Sequence, residues 1–192
     1  MKAMSDYARA VRGAIRGLWS DETTTFEFVD QMVSALTLHM TTAWYEGMRS
    51  VGVDPAGITP EETAALSEFI NGQIIHLPGF ADAIRESSKA NGGKLADLFN
   101  RGEMWISRYD DARMQAATLA GADKAFEWVL GPTEHCADCQ RLGGRVHRGS
   151  VWNAYGIKPR DSALACGGYR CQCELQLTDK KITPGRPPGL RG

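Results

Sequence analysis

The sequence predicts an α+β chain: an N-terminal long-helix region followed by a small β-hairpin module stapled by its cysteines. Three observations carry that reading. Apolar residues recur at three- and four-residue steps through most of the first 120 or so residues, which is the helical period. After Gly121 the period shortens to two, as in a half-buried strand. All five cysteines, Cys136, Cys139, Cys166, Cys171 and Cys173, fall in the last third of the 192 residues. The composition, 43% hydrophobic and 23% charged, is close to the globular average of roughly 45–50% and about 25%. It excludes disordered, collagen-like and coiled-coil-only chains. No run approaches the ~18 uncharged apolar residues of a membrane span. Lys2, Arg9, Arg12 and Arg16 leave no room for the apolar core of a secretory signal, so the expected compartment is a cytoplasm.

Three segments follow: a helical region over 1–122, a β module over 123–179 and a basic Pro/Gly tail over 180–192. The first helix spans 5–19, with Ser5 as cap and Tyr7, Val11, Ile15 and Leu18 on one face. Ser20-Asp21-Glu22 opens the next, whose seam is Phe26, Val29, Val33, Leu36, Met40, Ala43 and Gly47. Phe28, Met32, Ala35 and His39 form a second, weaker apolar edge on it. Asp54-Pro55-Ala56-Gly57 is a loop. Thr59-Pro60-Glu61-Glu62 is a helix start, with Thr59 as N-cap, Pro60 at the first position and Glu62 at the third. Leu66, Phe69, Ile70 and Ile74 face inward there, and Pro78-Gly79 ends the helix. A short helix from Phe80 to about Ala90 stops at Asn91-Gly92-Gly93. A second long seam runs Leu95, Leu98, Gly102, Trp105, Tyr109, Ala112, Ala116, Leu119, with Gly102 a candidate break. His39, His76, Trp44 and Trp105 read as packing residues. Seams this long exceed what a small domain covers, so self-association or a helical partner is expected.

In the last third, Phe126, Trp128 and Leu130 alternate as a strand, and Leu142-Gly143-Gly144-Arg145-Val146 reads as a turn and return strand. An irregular excursion occupies 148–165. Glu174-Leu175-Gln176-Leu177 is a closing strand, and the tail beyond Lys180 has no apolar period, so it is expected to stand free of the fold.

About 45 residues between Glu134 and Asp179 cannot bury enough apolar area to hold together unaided. An odd number of cysteines without a secretory signal argues against disulfides and for a metal. Cys136 and Cys139 form a C-x2-C knuckle, and C-x4-C-x-C follows at Cys166, Cys171 and Cys173, with Gly167 and Gly168 free to tighten the turn. Four soft sulfur ligands in a tetrahedron suit structural Zn²⁺, making this a zinc-stapled β-hairpin module. Cys166 with Cys171, or Cys171 with Cys173, completes the set, and His135 or His147 could replace one member. The fifth cysteine then packs as a small apolar residue. No H-E-x-x-H, no H-x-E beside P-C-x-x-C, no phosphate loop and no nucleophile elbow is present. The Cys136-Ala137-Asp138-Cys139 segment lacks the βαβ setting of a redox pair. No enzyme activity and no small-molecule substrate are expected.

Charge is uneven. Residues 131–192 carry ten basic and five acidic side chains, while the first 130 carry a net charge of −6. Arg141, Arg145, Arg148 and Arg170 around the knuckles, with Tyr155 or Tyr169 for stacking, make a zinc-ribbon nucleic-acid-binding protein the alternative reading.

Trp128 ahead of His135-Cys136-Ala137-Asp138-Cys139, then Leu142-Gly143-Gly144-Arg145-Val146 and Cys171-Gln172-Cys173, resembles the C-terminal module of tailed-phage minor head proteins. These are the Mu protein F-like, or head morphogenesis, family. The resemblance covers roughly residues 112–178. The family often closes with His-Pro-x-Cys-Arg-Cys, whereas here Cys166, Gly167 and Gly168 precede Cys171, and Gln172 stands in place of the arginine. The resemblance implies a structural virion protein acting in head assembly or at the portal and DNA-delivery site. It would be found in the virion and, during assembly, in the host cytoplasm. Its partners would be portal or capsid proteins, with DNA nearby and no membrane.

Overall fold

The computed structural model describes residues 2–168 and 171–190. In chain order they form α1 (Lys2–Trp19), α2 (Thr25–Ser50), a 3-10 turn (Pro55–Gly57), α3 (Pro60–Ile74), α4 (Leu77–Glu86) and α5 (Leu95–Ala120). Then come β1 (Ala125–Val129), α6 (Ala137–Leu142), β2 (Val146–Arg148), α7 (Gly149–Ala154) and β3 (Glu174–Leu177). The α+β class is as expected: mostly helix, with a small antiparallel sheet and a cysteine cluster near the C-terminus. No described helix is long and apolar enough to cross a membrane.

Two compact units divide the chain. The first holds Met1–Glu46 and Ile58–Arg113; the second holds Gly47–Gly57 and Met114–Gly192. The division thus falls near residue 113 rather than 122, and the 180–192 tail belongs to the second unit.

In the first unit, α1 buries Tyr7, Val11, Ile15 and Leu18 as its period requires. It begins at Lys2 rather than at a Ser5 cap. The α5 seam is also as read, with Leu98, Trp105, Tyr109 and Ala112 buried. Gly102 does not break it. A Cβ there would meet Ile15 Cδ1 at 2.6 Å, so the missing side chain lets α1 and α5 approach closely. In α2 both apolar ladders are buried in part: Leu36, Met40 and Ala43 of the expected seam and Phe28, Met32 and Ala35 of the weaker edge are inside, while Phe26 is 80% exposed. Aromatic contacts tie the layers together. Phe80 of α4 stacks on Trp105 at 4.6 Å and meets Phe28 edge-on at 6.1 Å. The Tyr7 hydroxyl donates to the Trp105 carbonyl at 3.1 Å.

The capping box at α3 forms in full, with Thr59 accepting from the Glu62 N–H and Glu62 accepting from the Thr59 N–H. Pro78 does not end that helix. It sits in the first turn of α4, where its missing N–H costs nothing. His76 precedes α4 and is exposed. His39 lies 5.1 Å from the Tyr7 ring, and burial lowers its pKa against the opposing charge of Asp6.

In the second unit the sheet order is β2-β1-β3, all antiparallel. Phe126 and Trp128 of β1 point into the core, and Trp128 stands opposite Leu175 of β3. The excursion over 148–165 contains α7, whose Trp152 donates its indole N–H to the Phe126 carbonyl at 3.1 Å. The tail is not free of the fold. Thr183 donates its N–H to the Val146 carbonyl at 2.8 Å and accepts the Val146 N–H on its hydroxyl at 2.9 Å. Pro187 is buried, and Leu190 packs on the core. This segment covers the otherwise open edge of β2.

Two outcomes follow. Gly102→Ala should cost about 1–3 kcal/mol by overpacking against Ile15, and adding Ile15→Val should recover part of it in urea unfolding. Deleting 182–192 should lower the stability of the second unit by about 2 kcal/mol, since two edge hydrogen bonds and the Leu190 contact go. Thermal unfolding reads this as a drop of several degrees.

Candidate metal centre

The knuckle is built on α6. Cys136 is its N-cap, in extended backbone (φ −68°, ψ 164°), and Cys139 lies one turn in. Gly143 then donates to the Cys139 carbonyl at 2.8 Å, and Gly144 to the Trp128 carbonyl at 2.9 Å, which returns the chain to β2. The turn expected at Gly143-Gly144 is therefore present, with a short helix before it that the sequence does not signal. Gly131 lets the closing segment come close: a Cβ there would meet the Gln172 carbonyl oxygen at 2.2 Å. Gly167 and Gly168 both take positive φ, 60° and 74°.

The fold brings all five cysteines together. Cys136, Cys139 and Cys166 have their sulfurs within 4.8 Å of one another, and so do Cys139, Cys171 and Cys173. Cys139 belongs to both groups and lies 3.8 Å from the Cys171 sulfur. Cys139 and Cys173 are buried, the other three half-buried, and none is in a disulfide. The cluster can hold a metal ion.

Burial raises the Cys139 thiol well above its ordinary value, helped by hydrogen bonding from Cys173 and the charge of Cys171. Burial raises Cys166 and Cys173 too. Cys136 differs. Burial pushes it up, but hydrogen bonds from the backbone and side chains of Cys139 and Cys166 outweigh this and hold it below the usual value. Burial thus favours the neutral thiol at Cys139, Cys166 and Cys173, and a divalent cation reverses that balance by binding the thiolates.

Of the two histidines, only His135 is near, with Nδ1 3.8 Å from the Cys173 sulfur. His147 is not a ligand candidate. It lies in β2 opposite Phe126, 5.0 Å from the Trp152 ring, and outside both sulfur groups. Burial and the Arg145 charge lower its pKa.

Charged residues that read as surface hold the cluster in place. Asp138 is fully buried, ion-paired to Arg141, and accepts the Ala165 N–H at 2.9 Å on its other oxygen. That bond ties the knuckle to the loop that carries Cys166. Arg160 donates to the Cys171 carbonyl at 3.2 Å. The only sequence signal for Asp138 is an acid inside the C-x2-C with Arg141 one turn on. Arg141 also donates to the Gly189 carbonyl at 2.9 Å, so part of its donor capacity is used within the second unit. Arg145 and Arg148 are exposed. Arg170 and Tyr169 lie outside the described residues.

No protein family, curated protein or solved structure matches the chain.

Asp138→Ala should loosen the Cys166 loop and lower affinity for a divalent ion by about 10–100-fold, as losses around ligands typically do. Chelator competition measures it. Asp138→Asn, which keeps an acceptor for Ala165, should retain more affinity than the alanine variant.

Proposed function

We propose that the chain is a structural protein of a tailed-phage head, acting in assembly or at the portal, with its second unit stapled by zinc. One observation carries the metal half of this reading. The Cys139–Cys171 separation of 3.8 Å is the edge of a tetrahedron whose sulfurs lie about 2.3 Å from zinc. All-sulfur donors at that spacing favour zinc over the harder divalent ions. The structural half rests on the arrangement that carries the resemblance. An aromatic-led strand (β1), the C-x2-C knuckle and a closing Cys-x-Cys before β3 meet around one sheet. The cysteines are held as a cluster, which suits a rigid adaptor.

The nucleic-acid reading keeps some support from Arg145 and Arg148, both exposed on or beside β2. Binding of the full chain to duplex DNA that weakens steeply with salt would favour it.

Zinc should co-purify in stoichiometric amount, and its absence by elemental analysis overturns the metal reading. Cys136→Ser should abolish the near-ultraviolet signal of Trp128 and Trp152 while most far-ultraviolet helical signal remains, because metal binding supplies the folding energy of such modules. The head reading is tested separately. Gradient-purified particles of the phage that encodes the chain should contain it, together with the portal protein. Infectious particles that lack it would overturn the assignment.

A further inference from the structure

The five sulfurs do not surround one point. They form two groups of three that share Cys139. A tetrahedral ion needs four donors roughly 3.8 Å apart, so each group is one donor short. His135 Nδ1 lies 3.8 Å from the Cys173 sulfur but outside both groups, so the three sulfurs Cys139, Cys171 and Cys173 stand as a set with its fourth position left to solvent. That set accounts for one ion and leaves Cys136 and Cys166, half-buried and within 4.8 Å of each other and of Cys139.

Charge supports the split. Five thiolates around one divalent ion leave a net charge of −3 in a partly buried site, and two ions reduce that to −1. Uncompensated buried charge is costly.

We propose that this module binds two zinc ions bridged by the Cys139 thiolate. One ion is held by Cys139, Cys171 and Cys173 and the other by Cys136, Cys139 and Cys166, with water completing the fourth position of each. Each thiol releases its proton on binding, five in all. The inference rests on the zinc reading above, and the count of ions separates the two.

The full chain, purified reduced with added zinc and freed of loose metal over a weak chelator, should carry about two zinc ions by elemental analysis. One ion per chain overturns the two-ion cluster and leaves the zinc reading intact; none overturns both. Substitution with cadmium-113 should give two resonances split by coupling through the shared sulfur, and a single resonance overturns the proposal. Cys166→Ser should lower the count from two to one, and retention of two would refute the assignment. Cys139→Ser should lose both ions, a larger loss than any other single cysteine gives. Should that variant not fold, the wild-type count and the Cys166→Ser count still decide.

Discussion

Cys139 lies where the second unit has least to hold it together by ordinary means. Its helix, α6, is six residues long, too short to persist without tertiary support. The loop that brings Cys166 has no regular structure, and the approach to Cys171 turns on glycines. What fastens these pieces is a set of sulfurs converging on Cys139 and a buried carboxylate, Asp138, facing the same loop. Cys139 also belongs to the apolar core with Trp128, Leu142 and Leu175. The centre and the core are thus one body, so a change in the sulfurs is felt by the sheet.

The buried Asp138 illustrates how such a site is held. A lone carboxylate at zero exposure is expensive unless it is paired and hydrogen-bonded. Arg141 supplies the charge and Ala165 the donor. Arg141 is in turn fixed by the Gly189 carbonyl from the tail. The tail therefore reaches the cysteine cluster through two polar links, Gly189 to Arg141 and Asp138 to the Cys166 loop. A segment without any apolar period acquires a structural role through backbone hydrogen bonds and single contacts such as Leu190.

That route explains what could and could not be read from the residues. The strands β1 and β3 and the helix α5 were legible because each has one buried face and a clear period. In α2, apolar residues fall on more than one three-four ladder, and the structure buries Phe28 and Met32 beside Leu36, Met40 and Ala43 while leaving Phe26 outside, a choice made by packing such as that of Phe28 on Phe80. Pro78 signals a boundary in either direction, and whether it ends α3 or starts α4 depends on where the carbonyls of residues 74–76 find partners. The cysteines named the centre, but spacing alone could not divide them, since the sharing of Cys139 is a property of three-dimensional convergence. Asp138, Arg141 and Arg160 look like solvated charges in a one-dimensional view. The tail's place in the fold leaves no mark in the sequence for the same reason: edge pairing at Val146 needs no side-chain pattern.

The charge asymmetry takes on a different meaning once partners are known. Arg141 answers Asp138, Lys180 meets Glu127 at 2.7 Å, and Arg160 and Lys158 approach Glu174 and Asp161 at 3.9 Å. Much of the basic excess of the last 62 residues is thereby spent inside the unit. Among the described residues from 131 onward, the exposed cations without such a partner are Arg145, Arg148, Lys181 and Arg186. Four cations neutralise at most about four phosphates, a salt dependence near the slope of −3.6 that such a count implies. A field of that size, carried by the described residues, supplies sequence-independent attraction to a polyanion and by itself no reading of bases.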